Sequence, residues 1–147
     1  MTTDVETIRS TTPAEEAYER MRAQRIHHLV VLEDHRVVGV VSERDLGGAR
    51  GASLRRNRLV SEVMSAAVVT APADATLRQA ANLMRGRGIG CLPVVDGPKL
   101  VGIITVTDLL NTVGRGLERP MSRGKRWALR TEPTRWRGPL QQSRGVR

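Results

Sequence analysis

Phenylalanine is absent from this chain of 147 residues. The hydrophobic share of 39% is carried almost wholly by Val, Leu, Ile, Ala and Met, so the core has to be aliphatic and β-branched, a composition that favours strands mixed with helices. Cysteine occurs once, at Cys91, which excludes an intramolecular disulfide and any metal site built from several thiolates, and fits a reducing compartment. Long apolar runs are missing as well. Met1 to Arg25 is broken repeatedly by charge, and nothing approaches the roughly 20 apolar residues that cross a bilayer. The expectation is a soluble, cytoplasmic protein with no membrane contact. Acidic residues are scarce only near the end: residues 1–110 hold 14 Lys and Arg against 13 Asp and Glu, whereas residues 111–147 hold 10 against 2. The formal charge of +9 therefore divides into +1 on the body and +8 on an appendage.

What the chain does have is a duplication. A shift of 63 residues aligns Thr7–Leu46 with Thr70–Leu109 without a gap, with eleven identities in 40 positions that include Met21/Met84, Ile26/Ile89, Gly39/Gly102 and Asp45/Asp108. A chain of this length has room for one shared core, so both copies must pack into one unit.

Each copy reads alike. Thr12-Pro13 and Ala71-Pro72 break the chain ahead of segments in which Ala14, Ala17, Tyr18 and Met21, then Leu77, Ala80, Ala81 and Met84, recur at helical spacing. Leu29–Leu32 and Leu92–Val95 predict buried strands, joined by turns at 33–35 and 96–98 to the strands Val37–Val41 and Leu100–Ile104. Ser42 and Asp45, like Thr105 and Asp108, set a hydroxyl three residues before a carboxylate, which opens a second helix. The predicted fold is α/β: two tandem β-α-β-β-α repeats packed about a pseudo-twofold axis into one disc. The first repeat spans 1–46, a linker rich in Gly and Arg spans 47–60, the second repeat spans 61–113, and a basic, disordered tail spans 114–147.

The Thr-Pro and Ala-Pro breaks, the Ile-x-x-Leu-Pro-Val-Val stretch at Ile89, the hairpins and the Gly-x-x-Ser/Thr-x-x-Asp endings resemble the CBS repeat family over residues 1 to about 110. Family pairs bind AMP, ATP, S-adenosylmethionine or related adenosine nucleotides in clefts between the repeats and regulate an enzyme or transporter. The resemblance implies that Asp45 and Asp108 accept hydrogen bonds from the ribose hydroxyls of two ligands, with Ser42 and Thr105 beside the ribose or phosphate. It places adenine against Ile26-His27-His28-Leu29 and Ile89-Gly90-Cys91-Leu92, and ties His27 and His28 to phosphate in the cleft of Asp108. It also implies a homodimer. The copies depart from each other at Val30, where the second has Pro93, and at Gly47-Gly48-Ala49, a poor helix start.

Each feature has a plainer reading. Ser42/Asp45 and Thr105/Asp108 are also close to capping boxes, and the two roles can coexist. His27 and His28 can be rim or core histidines, while a zinc site of His27, His28, His35 and Cys91 lacks metal-ligand spacing. Gly86–Gly90 follows a helix and precedes a strand, the reverse of a dinucleotide turn, and reads as a helix stop. Cys91 reads as a buried thiol. No catalytic constellation is recognisable, so the expected role is a non-catalytic regulatory sensor that needs no metal. The alternative is an RNA- or ribosome-associated adaptor. Its function would reside in residues 115–147, where ten basic residues alternate with Trp127 and Trp136, a mixture that can grip phosphates and stack on unpaired bases. That tail can equally dock on protein or stay solvated.

Overall fold

The computed structural model describes residue 1 and residues 3–116. In the first copy, strand β1 (Thr7–Arg9) leads to helix α1 (Ala14–Gln24), then to the hairpin of β2 (His28–Glu33) and β3 (Arg36–Ser42). The second copy repeats this with β4 (Ala71–Pro72), α4 (Leu77–Arg87), β5 (Cys91–Asp96), β6 (Lys99–Thr105) and α5 (Val106–Gly114). Each copy makes a three-stranded sheet, β1-β2-β3 and β4-β5-β6, with the first pair parallel and the hairpin pair antiparallel.

The 63-residue offset survives at the level of single hydrogen-bonded pairs. His28 faces Ser42 as Cys91 faces Thr105, Val31 faces Gly39 as Val94 faces Gly102, and a register shift falls at Val31/Leu32 in one sheet and Val94/Val95 in the other. Each sheet buries one face under its own helix. Ala14, Ala17, Tyr18 and Met21 of α1 pack on Leu29, Val31 and Val41, and Ala80 and Met84 of α4 pack on Leu92, Val94 and Ile104. The opposite faces meet each other: Val30, Cys91 and Ile103 form a third cluster with Leu32, Val37, Val40 and Leu100. A strand with both faces covered has to be apolar throughout, which is why Leu29, Val30 and Val31 are all fully buried.

Three details differ from the sequence reading. Ala71-Pro72 is strand β4 and not a helix break. Pro72 can sit there because an edge strand of two residues leaves its missing N–H without a required acceptor. The break before α4 is Thr76, whose hydroxyl accepts from Gln79 N–H while the Gln79 side chain accepts from Thr76 N–H. Second, the closing helix of the first copy is reduced to a turn at Ser42–Gly47, a 3₁₀ turn (Gly48–Arg50) and the short helices α2 (Ala52–Arg55) and α3 (Val60–Val63). Gly47 adopts φ +75°, and a Cβ at Gly51 would overlap the Leu46 carbonyl, so the glycines permit the bend that stops the helix. Third, residues 47–60 are no bare linker. Arg55 is 3% exposed and Val60 packs into the first copy's core, joined by Val63 and Met64 just beyond the segment.

Among the described residues no helix is long and apolar enough to cross a membrane. From residue 117 onward the basic tail, with its expected disorder and nucleic-acid contact, lies outside the described residues.

Candidate functional site

Helix α1 ends at Arg25 and α4 at Gly88, both left-handed, so each chain turns sharply into its first hairpin strand. The turns carry Ile26-His27-His28 and Ile89-Gly90-Cys91 to the seam between the sheets. The strands that answer them, β3 and β6, end at Ser42 and Thr105, and the backbone ties each end to the opposite turn of its own copy: Glu43 N–H donates to His27 carbonyl at 2.9 Å and Val106 N–H to Gly90 carbonyl at 3.1 Å.

The result is a cavity of about 800 Å³ at the seam, large enough for a nucleoside-sized ligand. Of the residues singled out in the sequence, Ile26, His27, His28, Ser42, Asp45, Ile89, Gly90, Cys91 and Thr105 line it. Asp108 is not among the lining residues. His27 and His28 thus share the cavity with Asp45, whereas the family likeness assigns them to Asp108. Residues that the sequence did not single out also contribute: Asp4, Val5 and Glu6 ahead of β1, Arg25, Glu43 and Arg44, Val40 and Ile103, and Ser65 with Ala67–Val69 ahead of β4. Glu43 and Arg44 lie inside the Ser42–Asp45 motif and Arg25 directly precedes Ile26, whereas no local pattern marks residues 4–6, 65 and 67–69, which reach the seam only through the tertiary fold.

The hydroxyl–carboxylate pairs do cap. Asp45 Oδ2 accepts from Ser42 N–H and Ser42 Oγ, both at 2.8 Å, and Asp45 N–H donates to Ser42 Oγ at 3.2 Å. Asp108 does the same with Thr105 at 2.8, 3.0 and 3.3 Å, at the start of α5. Both bonds to Asp45 fall on one oxygen, so the carboxylate can hold its turn and still accept from a ligand through Oδ1.

Burial holds the His28 imidazole below its usual range, helped by His27 and opposed by Asp45, so it is neutral at pH 7. Its Nε2 lies 3.4 Å from where a Cβ on Gly90 would sit, so the missing side chain gives the ring room. His27 Nδ1 meets Glu43 Oε2 at 2.6 Å at the cavity rim. Burial, with the Asp45 charge second, pushes the Cys91 thiol up to about 12, which makes it a neutral wall at pH 7 instead of a nucleophile. Among the described residues no group of three or more His, Cys, Asp or Glu is placed to hold a metal ion.

The pattern of the CBS domain matches residues 1–49 and 60–115. Inosine-5'-monophosphate dehydrogenase of Thermoplasma acidophilum is 36% identical over 108 residues, 73% of this chain, and this chain spans only 21% of that enzyme. The CBS domain pair of protein MJ0100, solved in complex with 5'-methylthioadenosine and S-adenosyl-L-methionine, superposes with a TM-score of 0.71 at 26% identity, covering 79% of this chain and 93% of that one. The cytosolic domain of the Mg2+ channel MgtE in complex with ATP gives a TM-score of 0.62 at 32% identity, over 76% of this chain and 46% of that one. Two copies in one register, two sheets sharing a seam, and a family pattern found twice lead to one assignment: the chain belongs to the CBS domain family and carries a tandem pair of its repeats.

Proposed function

We propose that this chain is a non-catalytic regulatory module that binds an adenosine-containing ligand in the cavity between its repeats and thereby modulates a partner. The observation that carries the reading is the convergence of Ser42, Asp45 and Thr105 with the apolar residues Ile26, Ile89 and Cys91 around one cavity. A carboxylate can accept both vicinal hydroxyls of a ribose, and an apolar slot edged by backbone groups suits a purine. The adenosine ligands of MJ0100 and MgtE support the same class. Ligand binding can act on a partner only by favouring one of two states of the module.

Isothermal titration of AMP, ATP and S-adenosylmethionine into the full chain tests this directly. At least one of the three is expected to give a saturable heat and a raised melting temperature. Heat and melting unchanged with all three would refute the reading.

A second copy of the chain is the proposed partner for the apolar residues left exposed on α5. Val106, Leu110 and Val113 are 45%, 66% and 53% exposed, on a helix whose neighbour α4 adds Leu77. Sedimentation velocity is expected to show a dimer that Leu110→Glu converts to monomer, since a buried unpaired charge at an interface is strongly unfavourable. A dimer that survives the substitution would exclude this face.

A further inference from the structure

We infer that the cavity selects an adenosyl ligand whose 5' substituent is neutral or cationic and discriminates against one that carries a polyphosphate. This rests on the adenosine-binding reading above and adds the charge class of the ligand.

The first ground is the balance of ionised groups on the wall. Four carboxylates line the cavity, Asp4, Glu6, Glu43 and Asp45, against two guanidinium groups, Arg25 and Arg44. Both arginines and Asp4 are solvent-exposed, whereas Glu6 and Asp45 are partly buried. Water and salt screen the exposed cations more than the recessed acids, so the acids dominate the field inside. The histidines do not redress this. His28 is neutral, and His27 Nδ1 pairs with Glu43, so neither member of that pair adds to the balance, which leaves Asp4, Glu6 and Asp45 against the two arginines.

The second ground is independent of side-chain charge. A phosphate is ordinarily caught by free backbone N–H groups at a helix start, and here three of the four in each copy, all but those of Thr107 and Arg44, are already used. Thr105 N–H donates to Asp108 Oδ2, Asp108 N–H to Thr105 Oγ1, and Val106 N–H to the Gly90 carbonyl. The equivalent donors in the first copy, on Ser42, Glu43 and Asp45, are spent on Asp45, His27 and Ser42. A triphosphate would therefore meet the recessed carboxylates of Glu6 and Asp45 with few of the donors that compensate its desolvation. A sulfonium or ammonium would meet those same carboxylates as counter-ions.

The test is a set of titrations of the full chain with S-adenosylmethionine, 5'-methylthioadenosine and ATP, on the parent and on the D4N/E6Q double variant. The cationic and the neutral nucleoside are each expected to bind about tenfold or more tightly than ATP. The double variant is expected to narrow the gap between ATP and 5'-methylthioadenosine several-fold, about what two partly screened unit charges supply. A ratio of affinities taken on one preparation cancels any loss of folded protein. ATP binding as tightly as the nucleosides, or a gap the double variant leaves unmoved, overturns the charge selection while the adenosine reading stands. Absence of binding by all three overturns the adenosine reading itself.

Discussion

Arg55→Ala is expected to lower the unfolding free energy by about 3–5 kcal/mol. The Arg55 side chain is 3% exposed and its hydrogen bonds fasten the irregular segment after β3 to the rest of the first copy. Nε donates to Glu15 Oε2 at 2.8 Å, and Nη1 donates to the carbonyls of Leu46 at 2.8 Å and Gly48 at 2.7 Å. The guanidinium also stacks 3.8 Å from the centre of the Tyr18 ring, a contact worth up to about 2 kcal/mol when desolvated. Alanine would orphan two carbonyls, at about 1–3 kcal/mol for a buried acceptor, and open a void. Glu15 is half exposed and can turn to water. Arg55→Lys keeps the charge and loses the planar fork, so it should fall between the two. Urea denaturation followed by circular dichroism measures both, and a midpoint for Arg55→Ala equal to the parent's would show that this segment adds nothing to stability.

Asp45→Ala is expected to weaken the adenosyl ligand by roughly one to two decades, because a charge-assisted hydrogen bond contributes about 1.5–3 kcal/mol. Asp108→Ala should cost less, since Asp108 bears on the cavity through Thr105, whose N–H and Oγ1 its Oδ2 accepts from. Both carboxylates cap a turn, so affinity has to be separated from folding. Asp45→Asn keeps an acceptor for Ser42 N–H while removing the charge, and it should lose affinity with a nearly unchanged melting curve. If the Asp108 substitution proves the more damaging in the same calorimetric series, the ribose is gripped by the second copy and the assignment made here is reversed.

The repeat, both hairpins and the helix faces were legible because their signals are local. Alternation, helical spacing and the gapless 63-residue offset do not depend on what packs against them. Ala71-Pro72 misled because proline before a helical pattern ordinarily marks a boundary, and a two-residue edge strand leaves no alternation to read. Arg55 was hidden for a different reason: an arginine among glycines and arginines reads as solvated, and only the fold supplies the two carbonyls and the ring that bury it. The site was half legible. The hydroxyls, Asp45 and the histidines of the candidate cavity follow from the motif and Asp108 does not join them, whereas the acids at Asp4 and Glu6 and the union of the histidines with Asp45 depend on how the sheets meet.

The matched register of the two sheets has an evolutionary consequence. Two identical one-repeat chains associating across such a seam would have to present the same side chain at both equivalent positions, so any improvement on one flank would be imposed on the other. Joining the copies in one polypeptide removes that constraint. Here His27 and His28 stand opposite Gly90 and Cys91 at equivalent places, bulk and basicity on one flank against space and a neutral thiol on the other. A symmetric scaffold has in this way acquired two unlike flanks.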